Sequence, residues 1–103
     1  MPVAITTKEL QEIIAQRAPL ALIDVRRKAD YDTSPTTING AIWLDPEKVE
    51  EWQGTLPENQ QVVVYCMRGG SVSQGVATAL QKSCPSVRFL EGGIAGWEKM
   101  QND

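Results

Sequence analysis

An α/β fold with a central, mostly parallel β-sheet and helices on both faces is what this sequence predicts, and two observations carry the prediction. Two apolar runs, Ala21–Val25 and Gln61–Tyr65, are about five residues long and lack the alternation of a strand with one wet face. Such runs belong to strands covered on both sides. Segments with apolar residues at helical spacing alternate with them, which is the pattern of βαβ units. The 103 residues suffice for one core, so residues 1–103 are expected to form a single domain.

The elements follow in order. Thr6-Thr7-Lys8-Glu9 reads as a capping box, and Leu10, Ile13 and Ile14 continue it as a helix to about Arg17. Ala21–Val25 is the first strand. Lys28 to Asn39 is polar, contains Ser34-Pro35-Thr36-Thr37, and is expected to be a loop. Gly40 to Leu44 is a short strand. Asp45-Pro46 starts a helix that runs through Val49 and Trp52 until Gly54 and Pro57 break it. Gln61–Tyr65 is the strongest strand signal. Ser71 to Lys82 is a helix with Val72, Val76, Ala79 and Leu80 along one face. Val87 to Leu90 is the last strand, and Gly92-Gly93 turns into a short helix carrying Ile94, Trp97 and Met100.

Composition removes several function classes. The net charge is -3 and no Lys/Arg cluster is present, which argues against a nucleic-acid partner. The densest apolar stretch is too short to span a bilayer, so no membrane association is expected. Met1 to Thr7 carries neither a basic region nor a long apolar stretch and does not read as a signal peptide. With two cysteines, this favours a reducing, cytoplasmic compartment in which a thiol is chemical rather than structural. There is no histidine. Cys-His dyads, Ser-His-Asp triads and histidine metal sites are therefore excluded, and neither a metal nor a cofactor is expected.

The chemistry converges on Cys66. It follows the best strand, and Met67-Arg68-Gly69-Gly70-Ser71 leads from it directly into a helix. In open α/β sheets ligands bind beyond the carboxyl ends of the strands. A helix N-terminus and a nearby cation, here Arg68, both favour a thiolate and can lower a cysteine pKa from about 8.5 to about 3.5–7.5. Gly69 and Gly70 can take backbone angles closed to other residues, so that successive N–H groups form an anion-binding nest. A bare cysteine at a strand end is more often a small buried hydrophobe. The arginine, the two glycines and the helix start reverse that expectation.

Val64-Tyr65-Cys66-Met67-Arg68-Gly69-Gly70-Ser71 resembles the active-site loop of rhodanese domains. Three further segments agree in the family's order. Leu22-Ile23-Asp24-Val25-Arg26 is similar to its Asp-Val-Arg segment, Ile38-Asn39-Gly40-Ala41 to its Ile-x-Gly-Ala, and Leu90 to Trp97 to its Gly-Gly-x-x-x-Trp element. The resemblance implies a single rhodanese-like domain acting as a thiosulfate sulfurtransferase. Cys66 would attack the outer sulfur of thiosulfate, release sulfite and carry a persulfide, which a thiol or cyanide then accepts. Backbone N–H groups of Met67, Arg68, Gly69, Gly70 and Ser71 would hold the persulfide, with the Arg68 guanidinium and the Ser71 hydroxyl placing the anion. The partners implied are a small anionic sulfur donor such as thiosulfate and a thiol acceptor, either a thioredoxin-like protein or a low-molecular-weight thiol. Thr37 stands where many relatives have histidine, Ser71 where many have arginine, and the stretch from Tyr31 to Ile38 is slightly longer than usual.

Two other readings stand beside this one. In a relay module Cys66 would receive sulfur from a partner protein and pass it on through the same persulfide. Cysteine phosphatases and arsenate reductases, on related folds, need an arginine six positions after the cysteine; Val72 stands there and cannot clamp an oxyanion. Asp24 and Arg26 read as a structural ion pair that Asp30 or Asp32 could complete. Cys84 is expected at the opposite end of the sheet from Cys66, and Trp43, Trp52 and Trp97 in the core or along grooves.

Overall fold

Five short strands build the sheet: β1 (Val3–Ile5), β2 (Leu20–Asp24), β3 (Ile42–Trp43), β4 (Gln61–Tyr65) and β5 (Arg88–Leu90). Their order is β1-β5-β4-β2-β3, and every neighbouring pair is parallel. The helices are α1 (Thr7–Ala15), α2 (Lys28–Thr33), α3 (Val49–Trp52), α4 (Ser71–Leu80) and α5 (Gly93–Gln101). The computed structural model describes residues 2–57 and 60–101.

The unbroken apolar runs serve two cores at once. Successive side chains of a strand point to opposite faces. Val62 and Val64 of β4 therefore pack with Ile23, Trp52, Val76 and Leu80, whereas Val63 and Tyr65 pack with Leu10, Leu22, Leu90 and Ile94. α3 and α4 cover the first face, α1 and α5 the second. Each fully buried valine contributes roughly 1.5–3 kcal/mol of transfer free energy, so both faces of β4 anchor the domain. The capping box on α1 forms as predicted: the Glu9 N–H donates to Thr6 Oγ1 at 3.1 Å, and the Thr6 N–H to Glu9 Oε1 at 3.0 Å.

Four expectations are corrected. The segment from Lys28 to Asn39 is not all loop, because Lys28–Thr33 forms α2. None of its residues is buried, so it carries no apolar periodicity to read; the Lys28–Asp32 ion pair at 2.8 Å and the stacking of Tyr31 on Trp43 support it instead. The buried face of α4 is Ser73, Val76, Ala77 and Leu80, with Ala79 exposed and Val72 half-buried. The segment after Asp45 divides into a 3₁₀ turn (Pro46–Lys48), α3 and a second 3₁₀ turn (Gln53–Thr55). Finally, β1 was not expected at all. It is three residues long, two of them exposed, and its partner β5 lies near the other end of the sequence.

The topology places a crevice. From β2 the chain moves outward to β3; from β4 it moves the other way, to β5. Neighbouring strands whose continuations diverge leave an opening beyond their carboxyl ends. The residues after β2 and after β4 therefore face each other across it.

Candidate active site

Cys66 directly follows β4 and is 5% exposed. Its loop is gripped from behind by α5. The Ile94 N–H donates to the Cys66 carbonyl at 2.9 Å and the Ala95 N–H to the Met67 carbonyl at 3.0 Å. Two amides of the first turn of α5 thus find acceptors in the loop rather than in water. In a trans peptide the carbonyl and the following N–H point in opposite directions. With the Met67 carbonyl turned toward α5, the Arg68 N–H is turned toward the sulfur.

Close backbone contact makes this grip possible. Gly93 has φ +59°, and a Cβ there would collide with the Cys66 carbonyl oxygen and lie 2.6 Å from both the Arg68 nitrogen and the Met67 carbonyl carbon. Gly69 has φ +72°, and its Cβ would lie 2.8 Å from Leu90 O and Gly92 N. The two glycines belong to segments distant in sequence, yet each needs the other segment's backbone against it.

Four donors converge on Cys66. Burial raises its pKa and is the largest single influence. It is outweighed by the Ser73 hydroxyl and by the backbone N–H groups of Ser73, Arg68 and Gly70, so the thiol ionises below its ordinary value. Ser73 Oγ lies 3.2 Å from Sγ and is fully buried, with no position from which to face water. The sequence does not single out Ser73, because a serine does not mark an apolar helix face. Ser73, Val76, Ala77 and Leu80 recur at i, i+3, i+4 and i+7, an arc no wider or narrower than that of Val72, Val76, Ala79 and Leu80, so periodicity alone does not choose between the two faces. Ser73→Ala should move the pH midpoint of Cys66 alkylation upward and slow alkylation at neutral pH. An unchanged midpoint would leave the backbone N–H groups as the whole cause.

The other expected loop residues divide by role. Met67 packs its side chain against the α1/α5 core, and Gly70 is the N-cap of α4. Gly69 accepts at its carbonyl from Gln74 Nε2 at 3.0 Å. Ser71 and Arg68 are exposed, and both line a cleft over Cys66 together with Arg26, Arg27 and Asp30 from the β2 side. The expected backbone N–H of Arg68 is among the groups that lower the Cys66 pKa, and its guanidinium is exposed at the cleft. Arg27 and Asp30 were also missed, since only the topology brings them to Cys66.

Asp24 and Arg26 are a buried pair. Arg26 Nη2 lies 2.7 Å from Asp24 Oδ2, and Nε lies 2.9 Å from the same oxygen. Arg26 Nη1 donates to the Ser34 carbonyl at 2.8 Å and Nη2 to the Thr36 carbonyl at 3.1 Å. Loop carbonyls, not Asp30 or Asp32, therefore complete the network, and Asp32 pairs with Lys28 instead. This ties residues 34–36 to the end of β2. Trp43 Nε1 donates to the Arg26 carbonyl at 2.9 Å, fixing the same wall of the cleft. Trp52 is buried and donates to the Asp45 carbonyl at 2.8 Å, while Trp97 packs half-buried against the α1/α5 core. Cys84 lies between α4 and β5, at the opposite sheet edge from Cys66, and both cysteines are free.

The family model for a rhodanese-like domain matches residues 6–100. The chain belongs to this family. The rhodanese-like domain is 31% identical over 102 residues to a probable adenylyltransferase/sulfurtransferase, MoeZ, of Mycobacterium tuberculosis, covering 96% of this chain and 26% of that protein. It thus spans about a quarter of that relative's length. It is 27% identical over 97 residues to a sulfurtransferase of Allochromatium vinosum, covering 92% of this chain and 87% of that one. A rhodanese-related protein of Thermoplasma volcanium shares the fold with TM-score 0.79 at 22% identity, covering 95% of this chain and 92% of that one. Family and relatives together support a sulfurtransferase or sulfur-relay role. Among the described residues no helix is long and apolar enough to cross a membrane.

Proposed function

We propose that the rhodanese-like domain moves sulfane sulfur through a persulfide on Cys66, taking it from a small anion such as thiosulfate and giving it to a thiol or to cyanide, in a reducing, cytoplasmic setting. The observation that carries the proposal is the convergence of four hydrogen-bond donors on a nearly buried thiol beneath an arginine-lined cleft. In the first step the Cys66 thiolate attacks the outer sulfur of thiosulfate. The S–S bond of the donor breaks, sulfite leaves with its electron pair, and the new S–S bond forms on Cys66. In the second step the acceptor's thiolate or cyanide takes the outer sulfur and Cys66 leaves as thiolate. The donors that favour the thiolate also favour the persulfide anion, because both place negative charge in the same nest. Intact mass after incubation with thiosulfate tests the reading: one added sulfur atom, mapped to the Cys66 peptide, is the expected result.

A relay reading has its own support, in that the Mycobacterium tuberculosis relative is about four times longer and carries an adenylyltransferase name as well. There the physiological donor would be a protein, and thiosulfate only a convenient substitute. Steady-state turnover with thiosulfate separates the two, since a relay loads slowly from the small anion and rapidly from its partner.

Arg27 and Arg68 supply the positive charge at the cleft mouth, and neither forms an ion pair among the described residues. A charge-assisted hydrogen bond at an exposed site falls at the low end of 1.5–3 kcal/mol, so Arg68→Ala should raise the KM for thiosulfate about tenfold. kcat should change less, and the alkylation midpoint should stay put, because the Arg68 N–H survives the substitution. An unchanged KM would mean that the backbone nest alone holds the anion.

A further inference from the structure

A second groove adjoins the Cys66 cleft, and none of the described residues fills it. It measures about 390 Å³ and is walled by Pro46 and Val49 on one side and by Val72, Gly75 and Val76 of α4 on the other. Arg27 and Val72 line both the groove and the cleft, so the two are continuous.

Gly75 is the unexplained residue there. It lies in the interior of α4, where glycine is the least favourable residue apart from proline. It is exposed, and a Cβ built on it would meet nothing within 4 Å, so no packing among the described residues requires it. A helix glycine that its own fold does not use leaves backbone bare for something else to approach.

The charges along this path are ordered. Arg27, exposed and without an ion pair among the described residues, stands at the junction with the cleft, and Glu47 lies beyond it in the groove. The chain as a whole has net charge -3, so the junction is a local positive point on an acidic protein. Cys66 is nearly buried, and an outer persulfide sulfur would stand only about 2 Å further out. Thiosulfate and cyanide can enter such a cleft unaided. A cysteine on a broad protein surface cannot; it must be presented on a projecting segment, whose neighbouring residues then fall into the groove.

We propose that this groove docks the sulfur acceptor as a projecting, cysteine-bearing segment of a partner protein, with an acidic residue beside the cysteine meeting Arg27 and apolar residues seated over Gly75 between Val49 and Val72. The inference rests on the sulfur-transfer reading of Cys66. The segment's thiolate attacks the outer persulfide sulfur, the S–S bond to Cys66 breaks, Cys66 leaves as thiolate, and the segment departs as the persulfide.

The test compares acceptors and one groove-filling variant. The probes are a short synthetic peptide with cysteine between aspartate and Val-Leu, the same peptide with lysine for aspartate or with serines for Val-Leu, N-acetylcysteine and cyanide. The persulfide-loaded wild-type domain should use the acidic-apolar peptide about tenfold better than N-acetylcysteine, a gain of about 1.4 kcal/mol. Gly75→Gln should raise the melting temperature, leave the cyanide reaction unchanged because Gly75 does not line the Cys66 cleft, and erase the peptide's advantage. Fluorescence anisotropy with a labelled peptide carrying serine for cysteine reads docking without sulfur chemistry. Its binding should weaken about tenfold in Gly75→Gln and persist in Cys66→Ser. Equal use of all thiols by the wild type, or an undiminished preference in Gly75→Gln, overturns the groove. If Cys66 takes no sulfur but the serine peptide still binds in a Gly75-dependent way, the catalytic reading falls and the groove stands.

Discussion

Cys66→Ser is expected to abolish sulfur loading and to lower cyanide-dependent thiocyanate formation by at least about a thousandfold, the scale on which loss of a covalent nucleophile is felt. Serine is nearly isosteric and would accept the same hydrogen bonds, so the fold should be untouched. It cannot replace the chemistry, because a hydroxyl has no accessible anion at neutral pH and no histidine is present to make one. Cys84→Ser should leave both reactions within about twofold, since Cys84 is half-buried against the α4 core, between α4 and β5, away from the Cys66 cleft. Intact-mass loading and a thiocyanate assay on the two variants check this. Equal losses would mean that the two cysteines act as a pair.

Gly93→Ala is expected to cost both stability and reactivity, although Gly93 touches no substrate. Its φ of +59° strains any side chain by about 1–2 kcal/mol. The added methyl group would also run into the backbone of Cys66, Met67 and Arg68, which has no flexible end to move aside. Overpacking of this kind costs about 1–3 kcal/mol more. At about 4–8 °C per kcal/mol for a domain of this size, the melting temperature should fall by at least about 8 °C. Relief of the clash would push the loop off α5, loosen the Ile94 and Ala95 hydrogen bonds, and turn the Arg68 N–H away from the sulfur. Alkylation of the remaining folded protein should therefore require higher pH. Gly54→Ala is the control, because its Cβ would meet nothing within 4 Å and its φ is not positive. A Gly93→Ala protein with normal melting and normal alkylation would show that the α5 turn does not hold the loop.

The sequence by itself determined the class of fold, because burial on both faces writes a mostly apolar run without polar alternation, readable at Ala21–Val25 and Gln61–Tyr65. It determined α1 through local chemistry, in that Thr6 and Glu9 cap each other within one turn. It also singled out the loop after Cys66, whose glycines and following helix lie next to the cysteine in the chain. The elements it missed or misjudged lack such local signals. β1 exists through pairing with a strand from the other end of the chain, and α2 through an ion pair and a stacked ring on a helix that buries nothing. Tertiary structure alone decided the rest of the site. Ser73 became a hydrogen-bond partner of Cys66 because the first turn of α4 rolls that face inward, and Arg27 reached the cleft because β2 and β4 are neighbours whose continuations diverge. Gly93 became the support of the Cys66 loop only when a distant turn was laid against it, backbone to backbone. Periodicity and capping are properties of neighbouring residues; contacts across the sheet depend on where the chain returns, which no short stretch of it records.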